Sequence, residues 1–243
     1  MVSIKLDKSK FLRNLAVNRK LVPHIDSALA KGDFVWEYSY SPKQGDDAWH
    51  PSGDCTPSLN ELFWKVKDPE PEKIGFGLYK IFQVGHFWHQ YLQWIVEKQL
   101  EFAGPEDIER SGNKRWGEGP FHWARGSGDI APCRIPEHGD YCVDFKTMNS
   151  FDYKKQGLPD WCAEKYECQI NIYMDFFDLD QALIVGILKD SPHDMKEFEF
   201  RRNQPLIDAI YHKWHLVSEC LDQGVEPPEN EIVELPLQGP VAQ

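Results

Sequence analysis

Residues 126–146, GSGDIAPCRIPEHGDYCVDFK, decide how this chain folds. Pro136-Glu137-His138-Gly139 is a turn signal set between two runs of strand character, 129–134 and 141–147. A turn centred between Glu137 and His138 makes the two runs a hairpin. Asp129 then faces Lys146, Ala131 faces Asp144 and Cys133 faces Cys142. Side chains alternate along a strand, so Asp129, Ala131, Cys133, Cys142, Asp144 and Lys146 share one face. Val143 and Phe145 take the other face and pack on a helix. In this register the Cα atoms of Cys133 and Cys142 lie within roughly 4.5–5.5 Å of each other. A one-residue slip or a bulge would undo the arrangement.

Two carboxylates held close repel, and one tends to take up a proton unless a cation sits between them. Mg2+ or Mn2+, hard and oxygen-seeking, resolves that repulsion. Lys146 then stands where it can orient a nucleophilic water or neutralise charge on a phosphate. Such a set, with an imidazole added, suits metal-assisted attack on a phosphodiester. The imidazole comes from Gly85-His86-Phe87-Trp88-His89. His86 and His89 are three apart on a helical pattern, so either can serve. Downstream, Gln169 and Tyr173 stand at i and i+4 and project together.

Asp-x-Lys on its own usually means an ion pair on a solvated face. A lone histidine among aromatics usually means a packed core residue. The order of the four elements gives them weight. Gly85 to His89, Gly126 to Asp129, Asp144 to Lys146 and Gln169 to Tyr173 read G-x-x-x-H, G-x-x-D, D-x-K and Q-x-x-x-Y. That succession resembles the PD-(D/E)XK nucleases, in the RecB-like exonuclease branch that also includes CRISPR-associated adaptation nucleases and many phage exonucleases. The resemblance spans about residues 75–190. It implies a restriction-endonuclease-like core, a mixed central sheet flanked by helices. It implies His89, Asp129, Asp144 and the backbone carbonyl of Phe145 as metal ligands. It also implies Lys146, with Asp129 and Asp144, as catalytic, and Gln169 and Tyr173 as substrate-binding. Many RecB-like relatives carry an iron–sulfur cluster on one early and three late cysteines. Here Cys55 is early but only Cys220 is late, so no such cluster is expected. Cys133, Cys142, Cys162 and Cys168 with His138 read more simply as buried thiols.

The rest of the chain fits α/β or mixed α+β order. Helices are expected over 74–102, 163–177 and 206–221, the last ended by Gly224 and Pro227-Pro228, with a short one starting near 60–66. Further strands are expected at 121–124, 182–188 and 196–200, and loops at 39–59, 103–119 and 148–161. The expected division is a single nuclease domain over 1–243: an N-terminal extension at 1–73, a core at 74–222 and an acidic tail at 223–243 that frays or lies on the surface.

The chain has 243 residues, 41% of them hydrophobic, with 9 Trp, 14 Phe and 9 Tyr, enough for one sizeable core. Six cysteines without a CxxC form neither a disulfide framework nor a zinc knuckle. From the charged start and the lack of a long apolar run, no leader and no membrane span are expected, and a cytoplasmic protein is the default expectation. The net charge of −12 means that DNA, the expected partner, must be met by local basic clusters. Residues 8–20, which include Lys8, Lys10, Arg13 and Arg19, are one candidate, and Lys154-Lys155 another. A homo-oligomer or a recombination partner protein would be compatible. The leading function is a metal-dependent DNA nuclease, an exonuclease of recombination, repair or phage DNA metabolism. The alternatives are a nucleic-acid-binding or assembly subunit of the same fold with little activity, and an interaction protein whose acidic surface binds a basic partner.

Overall fold

A computed structural model describes residues 19–31, 47–56, 58–69, 76–148, 165–188, 191–229 and 231–241. Its centre is a five-stranded sheet in the order β1-β2-β3-β4-β5. The strands are β1 Ile108–Arg115, β2 Trp123–Ile135, β3 Gly139–Met148, β4 Gln181–Leu188 and β5 Ser191–Arg201. All neighbours are antiparallel except β3 and β4, which run parallel. A parallel pair needs a crossover. Helix Lys165–Phe177 lies within that connection. The expected mixed α+β class, with a mixed sheet flanked by helices, is what forms.

We number the helices α1 Val22–Lys31, α2 Leu59–Lys67, α3 Phe76–Trp94, α4 Lys165–Phe177 and α5 Gln204–Gln223. A π-helical turn, Ile95–Gln99, continues α3. On one face of the sheet, Leu21, Val22 and Ile25 by α1 and Leu92, Ile95 and Val96 by α3 bury against Ile130, Val143, Phe145 and Val185. On the other face, Ile170, Tyr173, Met174 and Phe177 of α4 bury against Ala131, Cys142, Ile184 and Phe200. The outer side of α4, through Cys168 and Ile172, meets α2 and α5. Covered on both sides, α4 buries Glu167, Gln169 and Asn171 together with its apolar residues. β4, whose residues from Ala182 to Val185 alternate between the two cores, is a continuous apolar run.

Two buried carboxylates tie the ends of the described chain to this frame. Glu197 of β5 accepts the amides of Lys20, Leu21 and Val22 at 2.6, 2.7 and 2.6 Å, at the start of α1. Glu167 of α4 accepts the amides of Gln238 and Gly239 at 2.7 and 2.9 Å. The tail therefore lies along the surface, held at defined points. α5 begins as capping rules require, with the Asn203 side chain accepting from Leu206 N. It stops at Gly224, whose φ of 65° lets its N–H turn back to Cys220 and Leu221.

Three expectations need correction. Residues 103–119 are not all loop, because β1 occupies Ile108–Arg115. Its sequence, IERSGNKR, buries only Gly112, so no alternation betrays it, and pairing to β2 makes it a strand. The strands expected at 121–124 and 129–134 are one strand, Trp123–Ile135. The register of the hairpin also differs. Ile135 pairs with Gly139 around a three-residue turn, and Gly139 takes φ +98°, which only glycine adopts easily. Cys133 thus faces Tyr141, not Cys142, and a bulge follows between Ile130 and Cys133. Pro132 sits in that bulge, where a residue without an N–H is tolerated. Cys133 is consequently in the α3-side core and Cys142 in the α4-side core. Among the described residues no helix is long and apolar enough to cross a membrane.

Candidate active site

β2 and β3 stay paired only as far as Ile130 and Val143. Beyond that point β2 keeps β1 as its partner and β3 keeps β4, so the sheet forks. Asp129 and Asp144 are the first residues past the fork, one on each arm.

Asp129 is turned into the fork by a break in alternation. Gly128 faces α4, where a Cβ would lie 2.9 Å from Phe177, yet Ile130 is buried on the α3 side. The neighbouring strand breaks at the same level. Arg110 lies over the Phe177 ring at 5.3 Å while Ile108 packs on the α3 side, and Glu109 between them has φ +48°. Gln93 of α3, 3% exposed, bridges both breaks. Its Nε2 donates to Glu109 Oε1 at 2.9 Å and to the Asp129 carbonyl at 3.3 Å. The Asp129 carboxylate reaches across the fork and accepts the Phe145 N–H at 2.6 Å. On β3, Phe145 faces the α3-side core, and Asp144 and Lys146 take the α4 side.

The motif residues converge here. His89 Nδ1 stands 3.3 Å from Asp129 Oδ2. Lys146 Nζ stands 2.5 Å from Asp144 Oδ2 and lies over the Tyr166 ring at 5.3 Å. Gln169 Nε2 donates to the Tyr173 hydroxyl at 3.1 Å, both on α4. His86 is exposed on the outer side of α3, so His89 is the histidine that faces the carboxylates. Both motif glycines mark close approaches. A Cβ on Gly85 would sit 3.1 Å from Thr147 Oγ1 of β3, one helical turn before His89. A Cβ on Gly126 would sit 2.7 Å from Tyr173 Cε1. Gly126→Ala should therefore cost about 1–3 kcal/mol by displacing the Tyr173 ring. An unchanged urea midpoint would contradict that packing.

Burial works against every charge in the fork, and the neighbours decide the outcome. For Asp129 burial is the largest influence, but His89, Lys146 and the Phe145 N–H together hold its pKa below the usual value. For Asp144 burial also leads. Lys146 only partly offsets it, the Asp129 charge adds to it, and the pKa rises to about 6. His89 and Lys146 are both raised, since Asp129 and Asp144 outweigh the cost of burying a cation. Burial, with the charge of Asp144, raises the Tyr173 hydroxyl well above its ordinary range. Among the described residues no three His, Cys, Asp or Glu side chains stand as a ready metal cage. Lys146 occupies Asp144, and the Phe145 amide with His89 occupies Asp129.

Other expected groups do not join the site. Cys133, Cys142 and Cys168 are buried in three different cores, so they cannot share an ion with His138. Cys162 and Lys154-Lys155 lie outside the described residues, as do residues 8–18. Lys20 is committed to Glu199 at 2.5 Å and to the Tyr141 hydroxyl at 2.9 Å, away from the fork. Gln93 and Glu109 escaped the sequence reading. Gln93 stands four residues after His89, and helical spacing alone would have put the two on one face.

No protein-family model matches this sequence. No curated protein matches it either. Among solved structures, the chain is similar in backbone to the protein SSO0001, with a TM-score of 0.48 and 14% identity over 84% of this chain and 88% of that one. It is similar to an alkaline exonuclease from Laribacter hongkongensis, with a TM-score of 0.44 and 15% identity over 74% of this chain and 90% of that one. A phage related exonuclease from Haemophilus somnus 129PT gives 0.35 and 16%, over 68% and 79%. These are likenesses of backbone path, and the chemistry of the fork rests on its own residues.

Proposed function

We propose that this protein is a divalent-metal-dependent DNA nuclease and that it acts as an exonuclease. One observation carries the reading: His89, Asp129, Asp144 and Lys146, drawn from three separated motifs, meet in one ion-pair cluster of buried carboxylates and partly exposed cations where β2 leaves β3. Two cations stand against two carboxylates in the fork. Here Asp144 remains strained, with its pKa at about 6, and a second carboxylate is nearby. That is the condition a divalent cation relieves.

His89, Asp129 and Asp144 would hold Mg2+ or Mn2+, with the Phe145 carbonyl as a fourth donor. The N–H and C=O of one strand residue point to the same side. The Phe145 N–H points into the fork, so its carbonyl does too. Bound there, the cation would acidify water and stabilise charge on the phosphate. Lys146, released from Asp144, would orient the attacking water and offset charge developing on phosphorus-bound oxygens. The Tyr173 hydroxyl, kept protonated by burial and oriented by Gln169, would donate a hydrogen bond to the DNA backbone. Gln93 would position Asp129 by holding both strands at the break in alternation. Gln93→Leu should then lower Mn2+ affinity about 10- to 100-fold with the fold intact, as supporting residues of metal ligands do. Unchanged affinity by calorimetry would remove Gln93 from the account.

Exonuclease action comes from the resemblance to the RecB-like branch. Digestion of end-labelled linear and of circular DNA with Mg2+ or Mn2+ tests both parts. Degradation of linear but not circular DNA is expected. Cleavage of circles would make the protein an endonuclease, and no cleavage of either would overturn the reading.

A further inference from the structure

The face of the β1–β2 ribbon that turns away from α4 carries a regular pattern. Three cross-strand pairs follow one another outward from Asp129: Ser111 with Ser127, Asn113 with Arg125, and Arg115 with Trp123. Their orientation is set by the residues between them. Gly112 and Gly126 face α4, where a Cβ would lie 2.5 Å from Phe176 and 2.7 Å from Tyr173, so their neighbours must point the other way. Ser111, Asn113, Arg115 and Arg125 are exposed, and Ser127 and Trp123 are half-buried. The Ser111 and Ser127 hydroxyls stand 3.4 Å apart. Both guanidinium groups lie over the Trp123 ring, Arg115 at 5.2 Å and Arg125 at 5.6 Å. These three pairs include no carboxylate, in a chain with 39 acidic and 27 basic residues. Beside them opens a cleft of about 500 Å3, bounded by Tyr173, His50 and Ser52 as well as by the ribbon.

The geometry points to this ribbon as the track for one unpaired strand of the nucleic acid, about three nucleotides long, leading to the scissile phosphate. The inference rests on the nuclease reading of the fork and adds to it the form in which substrate arrives. Successive pairs on one face of a strand are about 7 Å apart, and the six residue steps from Asp129 to Trp123 span about 20 Å. That repeat is comparable to the spacing of phosphates along an extended single strand. Each pair offers what such a strand needs. Ser111 and Ser127, nearest the fork, can donate to phosphate oxygens. Arg125 and Arg115 add charge, and a guanidinium binds phosphate by paired hydrogen bonds. Trp123, beside the two arginines, offers a ring on which a base can stack without regard to sequence once an arginine turns to a phosphate. Trp49 covers the edge of β2 away from β1 at Ala124, and the cleft of about 500 Å3 beside it matches one nucleic-acid strand and not two. The track also meets phosphates locally, as an acidic chain must.

The test uses Asp144→Asn protein, so that cleavage does not interfere, and a dye-labelled single-stranded DNA decamer. Trp123→Ala should weaken binding about tenfold, as loss of one stacked base does. Trp123→Phe, which keeps a ring, should restore most of it. Arg115→Gln and Arg125→Gln, on exposed side chains, should each reduce the slope of log K against log salt by about 0.7. Unchanged affinity and slope in all four variants would overturn the track, as would a blunt duplex that competes as well as the decamer. The two readings fail separately. If wild-type protein cleaves DNA while these variants bind normally, the nuclease stands and the track falls. If wild-type protein cleaves nothing while the variants lose single-strand affinity, the ribbon binds DNA and the fork is not a nuclease site.

Discussion

Asp144→Asn and Asp129→Asn should both lower cleavage by about 10³-fold or more, yet shift stability in opposite directions. Each removes a ligand charge from the proposed metal, and with it several kcal/mol of charge stabilisation in the transition state. The stability effects follow from the apoprotein. Burial raises the pKa of Asp144 from 3.8 to about 6. The folded state therefore holds a proton that the unfolded chain has released between these values, and stability falls as pH rises through that window. Above pH 6 the charged Asp144 costs up to about 3 kcal/mol. Asp144→Asn removes that cost, so the metal-free variant should melt higher than wild type at neutral pH and lose the dependence between pH 4 and 6. Asp129 has its pKa lowered, held ionised by His89, Lys146 and the Phe145 amide against burial. Its charge contributes stability above its unfolded pKa, and Asp129→Asn should melt lower. Thermal denaturation in EDTA reads both. Equal shifts of the same sign would mean that the two carboxylates share one environment, contrary to the fork.

Lys146→Met should cost about 10²- to 10³-fold in turnover, the range of a positioned proton-handling or charge-stabilising group. Mn2+ affinity should be kept or tightened, because an ammonium cannot ligate a cation and its loss frees Asp144. In the apoprotein Lys146 Nζ sits 2.5 Å from Asp144 Oδ2, so the ammonium and the metal compete for the same oxygen. Calorimetry with Mn2+ decides. A folded variant that no longer binds Mn2+ would show that Lys146 shapes the metal site, and the assigned roles would have to be exchanged.

The hairpin and its flanking helices were legible because their signals are local. Pro136 to Gly139 announces a turn, residues 182–188 announce a buried strand, and Gly224 with Pro227-Pro228 announces the end of α5. The convergence of Asp129 and Asp144 was expected for the wrong reason. Simple alternation placed Ala131 opposite Asp144, whereas the bulge at Pro132 and the shorter turn shift the register so that the arms diverge at the two aspartates. The sequence around 131–133 carries only a proline as a hint. The turn of Asp129 into the fork depends on Glu109, at φ +48° on a polar edge strand that has no hydrophobic period to announce it. Gly85 and Gly126 were legible as motif letters, but their physical role was not. Each is a place where another element comes too close for a side chain, a fact of packing that only the folded chain displays. Lys20 looked like part of a DNA-binding cluster and is instead engaged by Glu199 and Tyr141, partners more than a hundred residues away.

The most direct test of the account is a crystal structure with Mn2+, located by its anomalous scattering. One peak is expected in the fork between β2 and β3, ligated by His89, Asp129, Asp144 and the Phe145 carbonyl, with Lys146 moved off Asp144. Crystals that take up Mn2+ elsewhere, or that leave Lys146 on Asp144 at saturating metal, would contradict it.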